Sequence, residues 1–92
     1  TPSAKLSANI INLNVYPNPT QSKVNINFVS EEVQNVLVKI VNSQGEQVFI
    51  DNKSSFIGEY TKAIELKSYA KGIYILQIAT DDRLLNERII VQ

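Results

Sequence analysis

Apolar and polar residues alternate in short runs along most of the chain. Val24, Ile26 and Phe28 are separated by single asparagines, and in an extended strand such residues share one face. The same spacing recurs in residues 36–40, and residues 73–79 form the most apolar run. Turn-forming residues separate these runs. The pattern predicts seven strands, at residues 12–16, 23–28, 36–41, 47–50, 60–66, 73–79 and 85–91.

Short strands that recur about every ten residues are typical of an all-β fold. We therefore predict an antiparallel Greek-key, immunoglobulin-like β-sandwich of about seven strands, formed by residues 10–92. Residues 1–9 are small and polar without alternation, which predicts a linker from an upstream cargo domain. The chain contains no Met, and we expect it to be a piece of a longer precursor.

Three residues are predicted to have structural roles in turns. Gly45 lies in the turn between two predicted strands, where a hairpin favours the positive φ that glycine adopts readily. Gly72 lies two residues before Tyr74, at the start of the most apolar strand. This spacing is typical of the tyrosine corner of Greek-key sandwiches, in which the phenol hydrogen-bonds to backbone a few residues upstream.

Two segments are candidates for recognition by another protein. Pro17-Asn18-Pro19 has extended geometry and lacks two backbone donors, so a rigid strand exit explains it as well as a binding role does. Arg88–Gln92 includes three consecutive apolar β-branched residues. This segment either completes the sheet or is read by a partner through strand addition, and the two interpretations are compatible. The candidate recognition residues are Pro17, Asn18, Pro19, Arg88, Ile89, Ile90, Val91 and Gln92.

The composition argues against several classes of function. The chain has no His and no Cys, so it lacks the commonest general base, the commonest zinc ligands and any disulfide. Nine basic residues balance nine acidic ones, which leaves no net field to attract nucleic acid. We predict no catalytic residue, no cofactor, no metal, no nucleic-acid partner and no lipid-embedded segment, and hence no enzyme. Exposed strand edges leave a dimer through strand pairing open.

Taken in order, the motifs resemble those of one known family. Residues 14–92 resemble the type A C-terminal sorting domain of proteins exported by the type IX secretion system of Bacteroidetes, the Por secretion family. Asn42 stands where that family often has aspartate, Tyr69 where it usually has leucine, and Arg88 where paired lysines are common. The segments that carry the resemblance are 15–19, 24–28, 38–48, 64–66, 72–75 and 88–92.

The resemblance implies a secretion signal that directs its precursor to the outer-membrane translocon and is typically removed by a surface sortase. Translocon and sortase would be the partners, together with the upstream cargo. The implied location is the periplasm in transit, then the cell surface or the extracellular space. The alternative is a fibronectin-like or carbohydrate-binding accessory domain of a secreted hydrolase. An exposed cluster of Phe56, Tyr60 and Tyr69 would favour that alternative, because carbohydrate modules display aromatic patches.

Overall fold

Two long antiparallel strands form the centre of the fold. The computed structural model describes residues 10–81 and 83–92, so the predicted linker at residues 1–9 lies outside the described residues. All neighbouring strands pair antiparallel in one sheet, as predicted for an all-β antiparallel fold. The strands are β1 (Ile10–Tyr16), β2 (Lys23–Asn42), β3 (Gln47–Glu65), β4 (Gly72–Ala79) and β5 (Leu84–Val91).

The described residues form five strands, and this corrects the prediction of seven in an immunoglobulin-like sandwich. The predicted strands 23–28 and 36–41 both belong to β2, and those at 47–50 and 60–66 both belong to β3. The single sheet curls into a half-barrel. The error has a physical cause: the polar runs between the predicted strands break the alternation of side chains, yet their backbone continues to pair.

The long hairpin bends where its ladder is irregular. Ser30 pairs with Gly58 and Gln34 with Phe56, so three residues of β2 lie opposite one residue of β3. On β3, Ser55 and Gly58 have φ values of 52° and 100°. Extra residues and positive φ bend a strand and increase its twist. The bend brings the two halves of the hairpin to face each other.

Buried polar side chains at the bend bond to each other. The Gln34 Nε2 atom donates to Ser30 Oγ over 2.8 Å, and Ser30 Oγ donates to the Glu32 carbonyl over 2.8 Å. Ser30 and Gln34 are both buried. A buried polar group is costly unless it is hydrogen-bonded. These bonds satisfy the Ser30 hydroxyl and the Gln34 amide nitrogen, whereas Gln34 Oε1 is buried without a hydrogen-bond partner among the described residues.

The remaining strands extend the two halves of the hairpin. β1 pairs with the first half of β2, β4 with its second half, and β5 with β4. The Leu66 N–H donates to the Ser22 carbonyl over 2.8 Å, and Asn42 pairs with Tyr74. Because residues 66–71 are a short connection between these points, β2 starts and ends at the same end of the molecule. We call this end of the molecule the closing end. It is formed by residues 17–22, 43–46, 66–71 and 92.

The opposite end, which we call the bend end, contains the start of β1. Ile10 pairs with Ser30 at the bend. The turn between β4 and β5 also lies at the bend end, because Asn35 Nδ2 donates to Asp81 Oδ1 over 3.4 Å. The chain preceding Ile10 therefore joins the domain at the end opposite the closing end.

Inward-facing side chains of both halves meet in one core. Phe28 and Tyr60 stack in this core near the bend, with ring centroids 4.7 Å apart and an interplanar angle of 11°. The predicted inward residues of β2 are all buried, as the alternation indicates. None of the described residues belongs to a helix that could span a membrane. The buried hydrophobic residues are Val24, Ile26, Phe28, Val36, Val38, Ile40, Tyr60, Ile64, Leu66, Tyr74, Leu76, Ile78, Ile89 and Val91.

Candidate recognition surface

The two predicted recognition segments lie against each other at the closing end. Asn18 Nδ2 donates to the Arg88 carbonyl over 2.7 Å, and the Ile90 N–H donates to Asn18 Oδ1 over 3.0 Å. A carboxamide carries one acceptor oxygen and an N–H donor, as a peptide group does. The Asn18 side chain thus makes the pair of bonds that a neighbouring strand would make with β5.

Thr20 continues this pairing with its own backbone. The Thr20 N–H donates to the Ile90 carbonyl and the Gln92 N–H donates to the Thr20 carbonyl, each over 2.8 Å. Thr20 is buried, and its Oγ1 donates to the Lys23 carbonyl over 2.5 Å. We call Asn18 and Thr20, with the segment Arg88–Gln92 that they bond, the terminal clamp. It occupies the outer edge of β5 at its C-terminal half.

Pro17 and Pro19 flank Asn18 and are exposed. The peptide bonds that precede both prolines are cis. Because a proline nitrogen carries no hydrogen, neither residue presents a backbone donor to the edge of β5. The contacts of this segment with β5 therefore come from the Asn18 side chain and the Thr20 backbone, while the two proline rings face solvent.

The loop 66–71 is anchored at the closing end by Tyr74. The buried Tyr74 hydroxyl donates to the Ala70 carbonyl four residues upstream, which is the contact that a tyrosine corner makes. Gly72, between them, has a φ of 144°, which an L residue rarely adopts. Tyr69 lies on the same loop and is 43% exposed. Its hydroxyl donates to the Val48 carbonyl over 3.4 Å.

The turn at residues 43–46 is organised by Asn42. Its Oδ1 accepts from the Gln44 and Glu46 N–H groups, each over 2.9 Å, and its Nδ2 donates to Glu46 Oε1 over 2.9 Å. An asparagine that bonds the backbone two residues on favours a turn. Gly45 has a φ of 84°. An aspartate at position 42 would accept the same two N–H groups but could not donate to the Glu46 carboxylate.

Comparison with known protein families supports the resemblance seen in the sequence. A family model described as a secretion system C-terminal sorting domain matches residues 14–92. The chain belongs to this family. The matched residues include the whole terminal clamp and both turns described above. A search of curated proteins finds no match to the chain.

Only some of the predicted recognition side chains are accessible in the folded sorting domain. Pro17, Asn18, Pro19, Arg88 and Gln92 are exposed and Ile90 is half-buried. In contrast, Ile89 is 0% and Val91 4% exposed. A partner that binds the folded domain reaches the first group but not the last two side chains, which pack in the core. The recognition role of the accessible residues stays a prediction.

Sequence reasoning missed the part that Thr20 plays. A threonine after a proline carries no strong local signal, and its backbone partners Ile90 and Gln92 lie on the far strand. The sequence also gave no indication that the Pro17–Pro19 segment would contact Arg88–Gln92. Each segment looked unusual on its own, but only the curl of the sheet brings them together.

Phe56, Tyr60 and Tyr69 do not form the exposed aromatic cluster expected of a carbohydrate module. Tyr60 is 4% exposed, and the half-buried Phe56 packs edge-on against it with ring centroids 6.0 Å apart. Tyr69 lies on the loop 66–71 and is exposed. The specific cluster that would favour the carbohydrate-binding alternative is therefore not formed by these three residues.

Tyr60 is also the residue whose ionisation is most clearly affected by the fold. Burial raises the pKa of its phenol well above the ordinary value, and the hydrogen bond to Asp51 Oδ2, over 2.8 Å, and the charge of that carboxylate raise it further. Because the proton is held more tightly, Tyr60 acts as a structural donor. Among the described residues, no group of three or more acidic side chains is placed to hold a metal ion.

Proposed function

We propose that this sorting domain directs its precursor to the type IX outer-membrane translocon through the surface around the terminal clamp. A surface sortase then removes the domain by cutting in or before residues 1–9. The observation that carries the proposal is the family match, which covers every residue of the clamp. A secretion signal of this family implies export to the cell surface or extracellular space, and we propose transit through the periplasm.

The exposed side chains around the terminal clamp support recognition of the folded domain. Pro17, Pro19 and Arg88 are exposed around backbone that is already hydrogen-bonded. A rigid surface loses little conformational freedom on binding, which favours affinity. We propose that the translocon reads these side chains rather than an unpaired strand edge, because the clamp already occupies the edge of β5 at this point.

The position of the upstream chain supports the same proposal. Ile10 lies at the bend end, whereas the terminal clamp lies at the closing end. A cargo domain joined through residues 1–9 would extend from the far side of the molecule. The clamp surface would then stay accessible for cargoes of different sizes. This arrangement suits a signal that serves many precursors. The family is not known for an enzymatic activity, and we propose no catalysis for this chain.

The proposal can be tested with a secreted reporter. Residues 1–92 are fused behind a reporter that carries an export signal, and the fusion is expressed in cells with and without the type IX translocon. We expect the reporter outside the cells only when the translocon is present. Equal release from both cell types, or retention in both, would contradict the proposed function.

Point variants on the clamp surface sharpen this test. Deleting Arg88–Gln92 would also remove the buried side chains of Ile89 and Val91, so loss of secretion could reflect unfolding. Arg88→Glu reverses an exposed charge instead, and Lys53→Glu, an exposed position near the bend, is its matched control. We expect Arg88→Glu to reduce secretion while Lys53→Glu leaves it unchanged, with both domains folded by circular dichroism.

A further inference from the structure

The two facing halves of the curled sheet have different outer faces. In each strand, the side chains that alternate with the core residues point away from the core. Where β1 pairs with the first half of β2, these outward positions include Asn14, Asn25 and Asn27. Where the second half of β2 pairs with β4, and β4 with β5, four neighbouring outward positions are aliphatic. We call these four residues the outer patch: Val41, Ile73, Ile75 and Ile90.

The register of the strands makes the outer patch continuous. Ile73 pairs with Ile90, and Ile75 pairs with Val41 on the adjoining strand. Paired residues have Cβ atoms about 4.5–5.5 Å apart, so the four side chains form one apolar surface. Ile73 is 46% exposed and the other three are half-buried. Single exposed apolar residues need no explanation, whereas contiguous ones are typical of contact sites. The next row towards the bend is polar and consists of Lys39, Gln77 and Asn86.

The outer patch joins the terminal clamp through β5. Ile90 belongs to both, because its N–H donates to Asn18 Oδ1 while its side chain lies beside Ile73 in the patch. Arg88, whose carbonyl accepts from Asn18, pairs with Ile75. The exposed Arg88 side chain therefore projects at the border of the patch. A protein that contacts Arg88 from the outer side of the sheet also reaches Ile75 and Ile90.

The size and position of the outer patch narrow the choice of what covers it. A stable contact between two copies takes about 20–30 residues on each side, and the patch has four, so a second copy stacked on the patch alone would not hold. The chain that precedes Ile10 leaves the domain at the bend end. Ile73 and Ile90 instead lie next to the closing end, far from an upstream cargo domain. Within residues 1–9, the one large apolar residue is Leu6, which cannot cover four aliphatic side chains.

We propose that the outer patch is the apolar contact for the translocon protein that reads the terminal clamp, an inference that rests on the proposed function. The partner surface that fits the patch is aliphatic or aromatic and flat, because the patch is the face of a sheet. Burial of this apolar area supplies affinity, while Arg88 at its border sets the orientation. Small contacts are typical of transient complexes, which suits a signal that has to leave its receptor after export.

Photo-crosslinking in cells identifies what covers the patch. The photoreactive residue benzoylphenylalanine replaces Ile73 in the reporter fusion of residues 1–92. In the matched control it replaces Thr61, an exposed outward residue that pairs with Asn27 on the opposite face. We expect light to join position 73, but not position 61, to a translocon subunit identified by mass spectrometry. Equal adducts from both positions, no adduct, or an adduct of position 73 with a second fusion molecule, with residues 1–9 or with lipid would each overturn the proposal.

Affinity measurements test whether the contact is apolar. The purified 92-residue chain is titrated against the translocon in lipid nanodiscs. Ile73→Ser should weaken binding about fivefold because apolar burial is lost, and Ile73→Val should stay within about twofold of the parent. The ratio for Ile73→Ser should be the same at low and at physiological salt, since neither side chain is charged. The control Thr61→Ser should bind like the parent. Binding of folded Ile73→Ser equal to that of the parent would contradict the proposal.

Secretion of the reporter fusion separates this inference from the proposed function. Ile73→Asp places a charge in the patch, and Thr61→Asp is its control on the opposite face; circular dichroism shows whether both domains are folded. If the parent and Thr61→Asp fusions leave only translocon-competent cells and folded Ile73→Asp is retained, both proposals stand. If folded Ile73→Asp is secreted as well as the parent, the patch proposal fails while the proposed function stands. If the parent is never secreted, the proposed function fails, and the patch proposal fails with it.

Discussion

Two outer edges of the curled sheet, those of β3 and β5, are protected in different ways. At β5, the C-terminal half of the edge is covered by Asn18 and Thr20. The edge of β3 runs along 19 residues and, among the described strands, pairs only with β2 on its other side. That free edge is interrupted by Ser55 and Gly58, which have positive φ, and it carries exposed charges such as Lys53.

The difference lies in how each edge is covered. Irregular backbone and charge keep a free edge from pairing with any strand, without selecting a partner. The terminal clamp instead satisfies individual backbone groups with individual donors and acceptors. The β5 edge is therefore covered by hydrogen bonds from named groups, whereas the β3 edge is irregular and charged. A strand-edge dimer through β3 is opposed by its irregularity, and dimerisation stays untested.

The comparison of the two edges is tested most strongly in the core beneath the terminal clamp, where the largest loss of stability is expected. Ile89→Ala removes a fully buried side chain and should lower the free energy of unfolding by about 2–5 kcal/mol. Leu84→Ala, on the same strand but 58% exposed, is the control and should change it by less than about 0.5 kcal/mol. Urea unfolding measures both. Similar losses for the two variants would show that the two halves of β5 are not different.

The free edge of β3 is tested at Gly58. With φ near 100° and nothing within 4 Å of an added Cβ, Gly58→Ala meets no clash, so its cost is backbone strain of about 1–2 kcal/mol. Ser54→Ala, at an exposed position four residues earlier on β3, should be nearly neutral. Urea denaturation compares them. A Gly58→Ala domain as stable as the parent would mean that the bend does not need its positive φ.

The anchoring of the closing end is tested at Tyr74. Tyr74→Phe removes the hydroxyl that bonds to the Ala70 carbonyl and should cost about 1 kcal/mol. Tyr69→Phe removes an exposed hydroxyl with a long bond of 3.4 Å and serves as the control, with little expected change. Thermal unfolding followed by circular dichroism gives both values. An unchanged melting temperature for Tyr74→Phe would show that the tyrosine corner does not stabilise the domain.

The smallest effect on stability is expected at the clamp itself. Asn18→Ala removes two exposed hydrogen bonds to β5 and should cost about 0.5–1 kcal/mol. Asn52→Ala, an exposed asparagine on the β3 edge, is its control. The local effect should be clearer, with faster hydrogen exchange at the Ile90 amide in Asn18→Ala alone. Unchanged exchange at Ile90 would show that Asn18 does not protect the edge.

Local alternation of side chains was sufficient to predict which residues of β2 point inward. Val24, Ile26 and Phe28 follow a strict two-residue period, and that period is fixed by strand geometry. Continuity across the bend was not predictable in the same way. The exposed residues Glu31, Glu32 and Val33 break the period because the bend turns them outward, although their backbone belongs to β2.

The candidate site illustrates a second limit. Both of its segments were identified from the sequence, since two prolines separated by one residue and a β-branched ending are unusual. Their contact was not, because Asn18 lies 70 and 72 residues from its two partners. Such a contact depends on the curl of the whole sheet.

The long sequence separation across the terminal clamp has a consequence for synthesis. A polypeptide that stops short of Arg88 lacks two core side chains and every partner of Asn18 and Thr20 on β5. Contacts between residues so far apart form late, because they require closure of a long loop. Prematurely terminated products would therefore never display the finished surface, and a receptor that reads it would pass over them.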